Sequence, residues 1–325
     1  MQALRVERLS PDLSGVTLVP VPRPEPGPDE VLVRVRATSL NYPDLLMTRG
    51  AYQFKPEVPF ILGLEFAGEV VSAPEGSGFS PGDRVMGGAK TGGMADHAAL
   101  PAGNLRRIPD GLSFAQAAAM GAAYSTAYTA LVEIGRLQPE QWVLIHGASG
   151  GVGLAACELA ISLGAKVIAA THREDKLERI ANAVPVDAAI LNTGRFRDEV
   201  IRITDGALCD IVFDPVGGDV FDESSRCVAF GGQLQVIGFV SGRIPEIAVN
   251  IPLIKGFSVV GVRAGEYSRR FPGRGQAIAA AIDRLACEGR ITPHIDHTLP
   301  LARWREAFDA MAAGEVVGKV VLVPG

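Results

Sequence analysis

The sequence predicts an α/β protein with a doubly wound parallel-sheet domain set into a second, β-rich domain. Three observations carry this prediction. Short β-type runs punctuated by Gly and Pro fill roughly the first 120 residues. From Gln141 onward, buried-type apolar runs alternate with helical segments. The first of these runs ends in a glycine cluster, "HGASGGVG" (146–153). A chain of 325 residues accommodates about two domains of roughly 150 residues each. The expected division is 1–122, 123–263 and 264–325, with the last segment returning to the first domain.

Each element has its own signal. "VLVRVRATSL" (31–40) alternates apolar residues with Arg, as a half-buried strand does. "FAGEVVSA" (66–73) and "GDRVMGG" (82–88) read as further strands, separated by the turn residues of "PEGSGFSPGD". "SFAQAAAMGAAYSTAYTALVEIG" (113–135) breaks the β pattern and is expected to form two helices. "WVLIHG", "KVIAAT", "DAAILN", "DIVFDP", "LQVIGF" and "SVVGV" then recur as short buried strands. Helical patterns at 153–164 and 176–184 separate the first of them. Two late helical stretches, 275–289 and 301–314, precede a final strand in "KVVLVPG".

Composition narrows the function. With 47 % hydrophobic and 21 % charged residues the chain has ample material for packed cores. A net charge of −5 argues against a general nucleic-acid or anionic-membrane surface, which needs clustered Lys and Arg. Cys157, Cys209, Cys227 and Cys287 are scattered, with neither the spacing of a zinc lobe nor that of a disulfide framework. The charged beginning "MQALRVERLS" lacks an apolar signal core, and no apolar run reaches the ~18 residues of a membrane span. A cytoplasmic protein is expected.

The glycine cluster sits between a strand and a helix whose apolar residues recur at helical spacing, the context that a dinucleotide loop requires. Gly150 and Gly151 would let the backbone approach a pyrophosphate, and Gly153 would let the helix pack closely on the strand. Ala148 stands where the first glycine of the fingerprint is usual, followed by Ser149 and Val152. The helix N-terminus offers free N–H groups to the phosphates. About twenty residues on, a site for NAD presents an acid to the ribose 2′-OH. Here stand Thr171, His172 and Arg173, then Lys176, a set suited to the 2′-phosphate of NADPH. Glu174 and Asp175 read as acids in the first turn of the following helix.

Taken together, "EVLVRVRATSLNYPDLLMTRGAY", "PFILGLEFAGEV", "GDRVMG", "HGASGGVG", "DPVGGDVFDES", "GGQLQVIGF" and "GKVVLVP" resemble the medium-chain dehydrogenase/reductase superfamily. Within it the likeness is to the zinc-independent NADPH:quinone oxidoreductases of the zeta-crystallin type, over nearly the whole chain. The resemblance implies a GroES-like β-rich catalytic domain with an inserted Rossmann doubly wound parallel-sheet domain. It implies that no metal is used, because Asn41 lies in a stretch without Cys and Leu64 stands where zinc-dependent relatives have His. Asp44, Glu65 and His97 read as a turn cap, a structural partner and a strand side chain.

Without a strong Lewis acid, the acceptor should already be electron-poor. A quinone is the leading expectation, with an enoyl-thioester or 2-alkenal as the alternative and a cofactor-binding protein of little activity as the third. Relatives that reduce enoyl-thioesters use the tyrosine of a similar stretch, which implies that Tyr52 donates a proton or orients a carbonyl. Asn41 is expected to orient substrate or the nicotinamide carboxamide, its competing reading being a local turn bond. Thr126, Asn192, Gly238, Phe239, Arg263 and Lys319 complete the expected cofactor set. Arg263 and Lys319 read equally as surface ion pairs, and Arg269, Arg270 and Arg274 as a solvated loop rather than a CoA-phosphate site. A homodimer is expected, with "FSVVGV" pairing edge to edge, the competing reading being an edge strand capped within the chain.

Overall fold

The computed structural model describes residues 1–325, and its chain begins with two antiparallel strands, β1 (Gln2–Val6) and β2 (Val16–Pro20). The alternating stretch forms the ten-residue β3 (Glu30–Ser39). Helix α1 (Tyr42–Thr48), β4 (Phe60–Ile61), β5 (Glu65–Ser72), β6 (Arg84–Gly88), β7 (His97–Pro101) and β8 (Leu105–Arg107) follow. Val31, Val33 and Val35 point inward from β3 and join Phe66, Val70 and Val85 in one core. On the other face Arg36 pairs with Glu69 of β5 at 2.7 Å. Side chains thus sort by the period of two that the pattern displayed.

The predicted pair of helices over 113–135 is instead one helix, α2 (Phe114–Tyr128), which runs directly into a π-helical segment at Thr129–Ile134. The Thr129 hydroxyl donates back to the Ser125 carbonyl at 2.7 Å, a bond that bends helices, and the Gly135 N–H reaches the Ala130 carbonyl five residues back.

From Trp142 the alternating rhythm is realised in full. The elements are β9 (Trp142–His146), α3 (Gly151–Ser162), β10 (Lys166–Thr171), α4 (Leu177–Ala183), β11 (Ala188–Leu191), α5 (Arg197–Ile203) and β12 (Cys209–Asp214). They continue with α6 (Gly218–Ser224), β13 (Val228–Val236), α7 (Asn250–Lys255), β14 (Ser258–Gly261), α8 (Ala264–Arg270) and α9 (Pro272–Cys287). The six strands form one parallel sheet in the order β11-β10-β9-β12-β13-β14. The order reverses next to β9, as in a doubly wound sheet, and ligands of such sheets bind at that switch point, beyond the strand ends. Val143, Leu144 and Ile145 of β9 are wholly buried, which is why this strand reads as an unbroken apolar run.

The tail, β15 (Ile295–Pro300), α10 (Trp304–Ala312) and β16 (Lys319–Val323), rejoins the first sheet, where β16 pairs antiparallel with the end of β3. By its contacts the chain divides into Met1–Ala122 with Thr292–Gly325, and Ala123–Ile291. The boundary expected after residue 263 therefore lies after Ile291. Polar contacts explain the shift: Tyr267 of α8 and Arg274 of α9 both bind Glu133, and Arg290 binds the Ser162 carbonyl. These partners belong to the second unit, so residues 264–291 belong with it.

Candidate active site

In the second unit, the turn after β9 is made by Gly147, whose φ of +59° is the left-handed conformation that favours glycine. Ala148, at the fingerprint's first position, has an ordinary backbone, is fully buried and donates its N–H to the Ala170 carbonyl at 3.1 Å. The conformational demand is met one residue earlier than the fingerprint places it. Gly153 has no room for a side chain, since a Cβ there would lie 2.2 Å from the Gly147 carbonyl oxygen. At Gly150, which caps α3, an added Cβ would come no nearer than 3.3 Å to that oxygen. The two glycines therefore differ in role: one permits helix–strand packing, the other leaves an uncluttered backbone at the helix N-terminus. Gly151 and Val152 form the first turn of α3.

Thr171 closes β10 in a buried position and His172 is exposed. The Arg173 fork is taken by Asp175, Nε to Oδ1 at 2.9 Å and Nη2 to Oδ2 at 2.8 Å, and this bonding lowers the Asp175 carboxyl pKa. Arg173 is thus held by its own neighbour, which differs from the open phosphate fork expected of it. Lys176, in the short 3-10 turn at Glu174–Lys176, is only 2 % exposed, and its Nζ lies 3.4 Å from Ser149 Oγ in the glycine loop. The solvated surface charge that was its competing reading is not what the fold makes of it.

Asn192, at the end of β11, donates Nδ2 to His146 Nδ1 at 3.1 Å, while His146 Nε2 lies 2.7 Å from Ser224 Oγ. Burial pushes the His146 pKa down to about 3, so the ring is neutral. Asn192 supports the strand ends through His146, a partner that the sequence reading missed.

The first unit holds a second polar centre. Glu65, at the start of β5, accepts at Oε1 from the Ser39 hydroxyl at 2.6 Å, Asn41 Nδ2 at 2.9 Å and Lys319 Nζ at 2.9 Å. Its Oε2 accepts from the Ala122 N–H at 2.8 Å. Burial alone would raise this carboxyl, but the Lys319 charge and these donors outweigh it and hold the pKa below the usual range. Lys319 also donates to Asn41 Oδ1 at 2.7 Å and is 6 % exposed. It is therefore neither a surface ion pair nor an open phosphate ligand. Asp44, inside α1, accepts from the Asn41 N–H at 2.9 Å and the Gly63 N–H at 3.1 Å. Burial raises its pKa to about 7 against those two bonds.

The remaining expected residues are divided between the two units. Tyr52 is half-buried on the apolar core of the first unit, and its hydroxyl has no partner within the chain. Thr126 is a half-buried residue of α2. Gly238 and Phe239 follow β13 beside Pro215 and Gly217, and Arg263 is exposed before α8. Arg269, Arg270 and Arg274 are held by Glu266 and Glu133 on helices, not in a solvated loop. Glu65 is the structural partner that the sequence reading expected, and its partners come from residues 39, 41, 122 and 319, which the sequence did not name as such.

Two family models match the chain: the alcohol dehydrogenase GroES-like domain over residues 27–110 and the zinc-binding dehydrogenase over residues 151–286. A quinone oxidoreductase-like protein 2 homolog of Nematostella vectensis is 38 % identical, covering 91 % of this chain and 82 % of that protein. The quinone oxidoreductase of Pseudomonas aeruginosa is 35 % identical over 92 % of this chain and 93 % of its own length. Among solved structures, a mycobacterial protein in complex with NADPH superposes with a TM-score of 0.89 at 27 % identity, each chain fully covered. The second family model's description implies zinc, but the place where the resemblance puts a zinc site lies in the first unit, within residues 27–110, and the residues there do not fit one. Leu64 cannot ligate, and Glu65 and Asn41 are already bridged by the Lys319 ammonium at 2.9 and 2.7 Å.

Proposed function

The chain belongs to the medium-chain dehydrogenase/reductase superfamily, among the quinone oxidoreductase-like proteins, and from that premise we propose that it is an NADPH-dependent, zinc-independent quinone reductase. The reading rests chiefly on one observation: the buried Lys176 ammonium lies beside the glycine loop, 3.4 Å from Ser149 Oγ, just after a strand that carries no acid for a ribose 2′-OH. Ser149, Gly150, Gly151, Val152 and Gly153 would take the pyrophosphate, with Thr171, His172, Arg173 and Lys176 at the 2′-phosphate. For Arg173 this means exchanging Asp175 for the phosphate, two comparable charge-assisted forks. Bound NADPH supplies a hydride, which with one proton reduces a quinone to its hydroquinone and leaves NADP⁺. Tyr52, with its unpartnered hydroxyl, serves as hydrogen-bond donor to the acceptor oxygen as charge develops there.

The same reading assigns the protein to the cytoplasm and to a homodimer. No helix is long and apolar enough to cross a membrane. β14 is the open edge of its sheet, and the exposed Phe230, Val249, Leu253 and Ile254 belong to the neighbouring β13 and α7 and the turn that starts α7. A second copy pairing edge to edge about a two-fold axis would cover both the unpaired backbone and these side chains.

NADPH oxidation by the purified protein, with 1,4-benzoquinone, a 2-alkenal and crotonyl-CoA compared and NADH in parallel, tests the reading. Faster turnover of quinone with NADPH is the expected outcome, and faster turnover of crotonyl-CoA or the alkenal would move the assignment to a C=C reductase. Lys176→Ala should weaken NADPH binding about tenfold, the scale of one lost charge-assisted contact, and leave NADH binding unchanged. Equal use of NADH by the wild type would overturn the 2′-phosphate assignment.

A further inference from the structure

The amide of Asn41 lies between two opposite charges. Its Oδ1 accepts from Lys319 Nζ at 2.7 Å and its Nδ2 donates to Glu65 Oε1 at 2.9 Å. Nζ and Oε1 are themselves 2.9 Å apart. Reversing the amide would set its NH₂ against the ammonium and its oxygen against the carboxylate. Both contacts would be repulsive in a place where neither charge is screened by water, so one orientation is selected. The backbone is held as well, since the Asn41 N–H donates to Asp44 Oδ2 at 2.9 Å. In the selected orientation the amide oxygen is occupied. The second Nδ2 hydrogen meets only the Ser39 carbonyl and hydroxyl oxygens, each at 3.4 Å, beyond the ordinary range for such bonds.

We propose that Glu65 and Lys319 are positioning residues that fix Asn41 as a hydrogen-bond donor to a carbonyl oxygen of the bound reactants. The inference rests on the reductase reading above. Two sources carry such an oxygen, the quinone acceptor and the nicotinamide carboxamide, and Asn41 meets either one as donor only. A buried ion pair is weak grounds for stability by itself, because apolar side chains often replace one without loss. Holding an amide in one of its two orientations, by contrast, is something that a cation at its oxygen and an anion at its nitrogen do together.

Lys319→Met, Lys319→Arg and Asn41→Leu, studied as full chains below their unfolding midpoints, provide the test. The quantities measured are the NADPH Kd by fluorescence, kcat and KM for the quinone, and the Asn41 side-chain amide signal in ¹H–¹⁵N spectra. Lys319→Met and Asn41→Leu should share one defect, and Lys319→Arg should recover most of it. A fall in kcat of about 10–100-fold at unchanged NADPH Kd identifies the acceptor's oxygen. A matching loss of NADPH affinity in both variants identifies the carboxamide's. In Lys319→Met the amide signal should also lose its protection from exchange.

Wild-type kinetics and affinity in folded Lys319→Met would overturn the proposal. So would weakened NADPH binding in Lys319→Met alongside normal binding in Asn41→Leu, since Lys319 would then touch the cofactor itself. If Lys319→Met does not fold, Glu65→Gln replaces it with the same expectations. A wild type that reduces no quinone defeats the functional reading alone. The Asn41 amide signal then decides, and an unchanged signal in the variant overturns the positioning role.

Discussion

Two buried ionisable residues pull the stability of this protein in opposite directions with pH. Asp44 has its pKa raised to about 7 from 3.8, chiefly by burial, so the folded chain holds a proton that the unfolded chain has released. Its stabilising contribution is complete below pH 3.8 and is lost as pH rises through 7. His146, lowered to about 3 from 6.5 by burial, contributes above pH 6.5 and loses that contribution as pH falls towards 3. Between pH 3.8 and 6.5 the two slopes oppose. Asp44→Asn removes one of them and should make acid destabilisation steeper, by up to about 1.4 kcal/mol per pH unit, in urea unfolding from about pH 4 to about pH 8. Identical pH profiles for variant and wild type would contradict the raised Asp44. At the same scale, Gly153→Ala would place a Cβ 2.2 Å from the Gly147 carbonyl oxygen, a clash with backbone that no rotamer relieves. It should cost about 1–3 kcal/mol in thermal or urea unfolding, with NADPH affinity falling as α3 is pushed off β9.

Among the elements, the segment from α2 into the π-helical turn departs furthest from its pattern. Its Ala-rich run is compatible with helix throughout, and between Gly121 and Gly135 no Gly or Pro marks a break. What decides the π turn is supplied from β13: Gln235 is fully buried and donates Nε2 to the Ala130 carbonyl at 2.7 Å, while Gln233 reaches the Ile134 carbonyl. Gln235→Leu removes this bond together with an unpaired amide oxygen and should cost no more than about 1 kcal/mol. Gln235→Glu would instead face a buried carboxylate against a carbonyl oxygen, with an expected loss of about 3 kcal/mol or more. Urea midpoints of the two variants, measured side by side, check that order.

For the whole molecule, the open question is assembly. Phe230, Val249, Leu253 and Ile254 are between 75 and 88 % exposed, an apolar face that a monomer would leave in water. Leu253→Asp and Phe230→Asp should each shift sedimentation from dimer to monomer, and a monomeric wild type would defeat the dimer proposal. At this scale too, α8 and α9 belong with the parallel sheet, although the strand–helix rhythm stops at Gly261.

Periodicity and loop chemistry are local properties, and the chain displays them openly. The strands of the parallel sheet and the glycine loop could be read from neighbouring letters, because each depends on a few contiguous side chains and the backbone between them. The four-residue polar centre could not. Ser39 and Asn41, Glu65, and Lys319 lie on separate stretches of sequence, and only the pairing of β3 with β5 and β16 brings their charges within hydrogen-bond reach. Burial completes the difference: in water Lys319, Asp44 and His146 would be ordinary side chains. The loss of solvent on folding gives the Lys319–Glu65 pair its strength and moves the pKa values of Asp44 and His146.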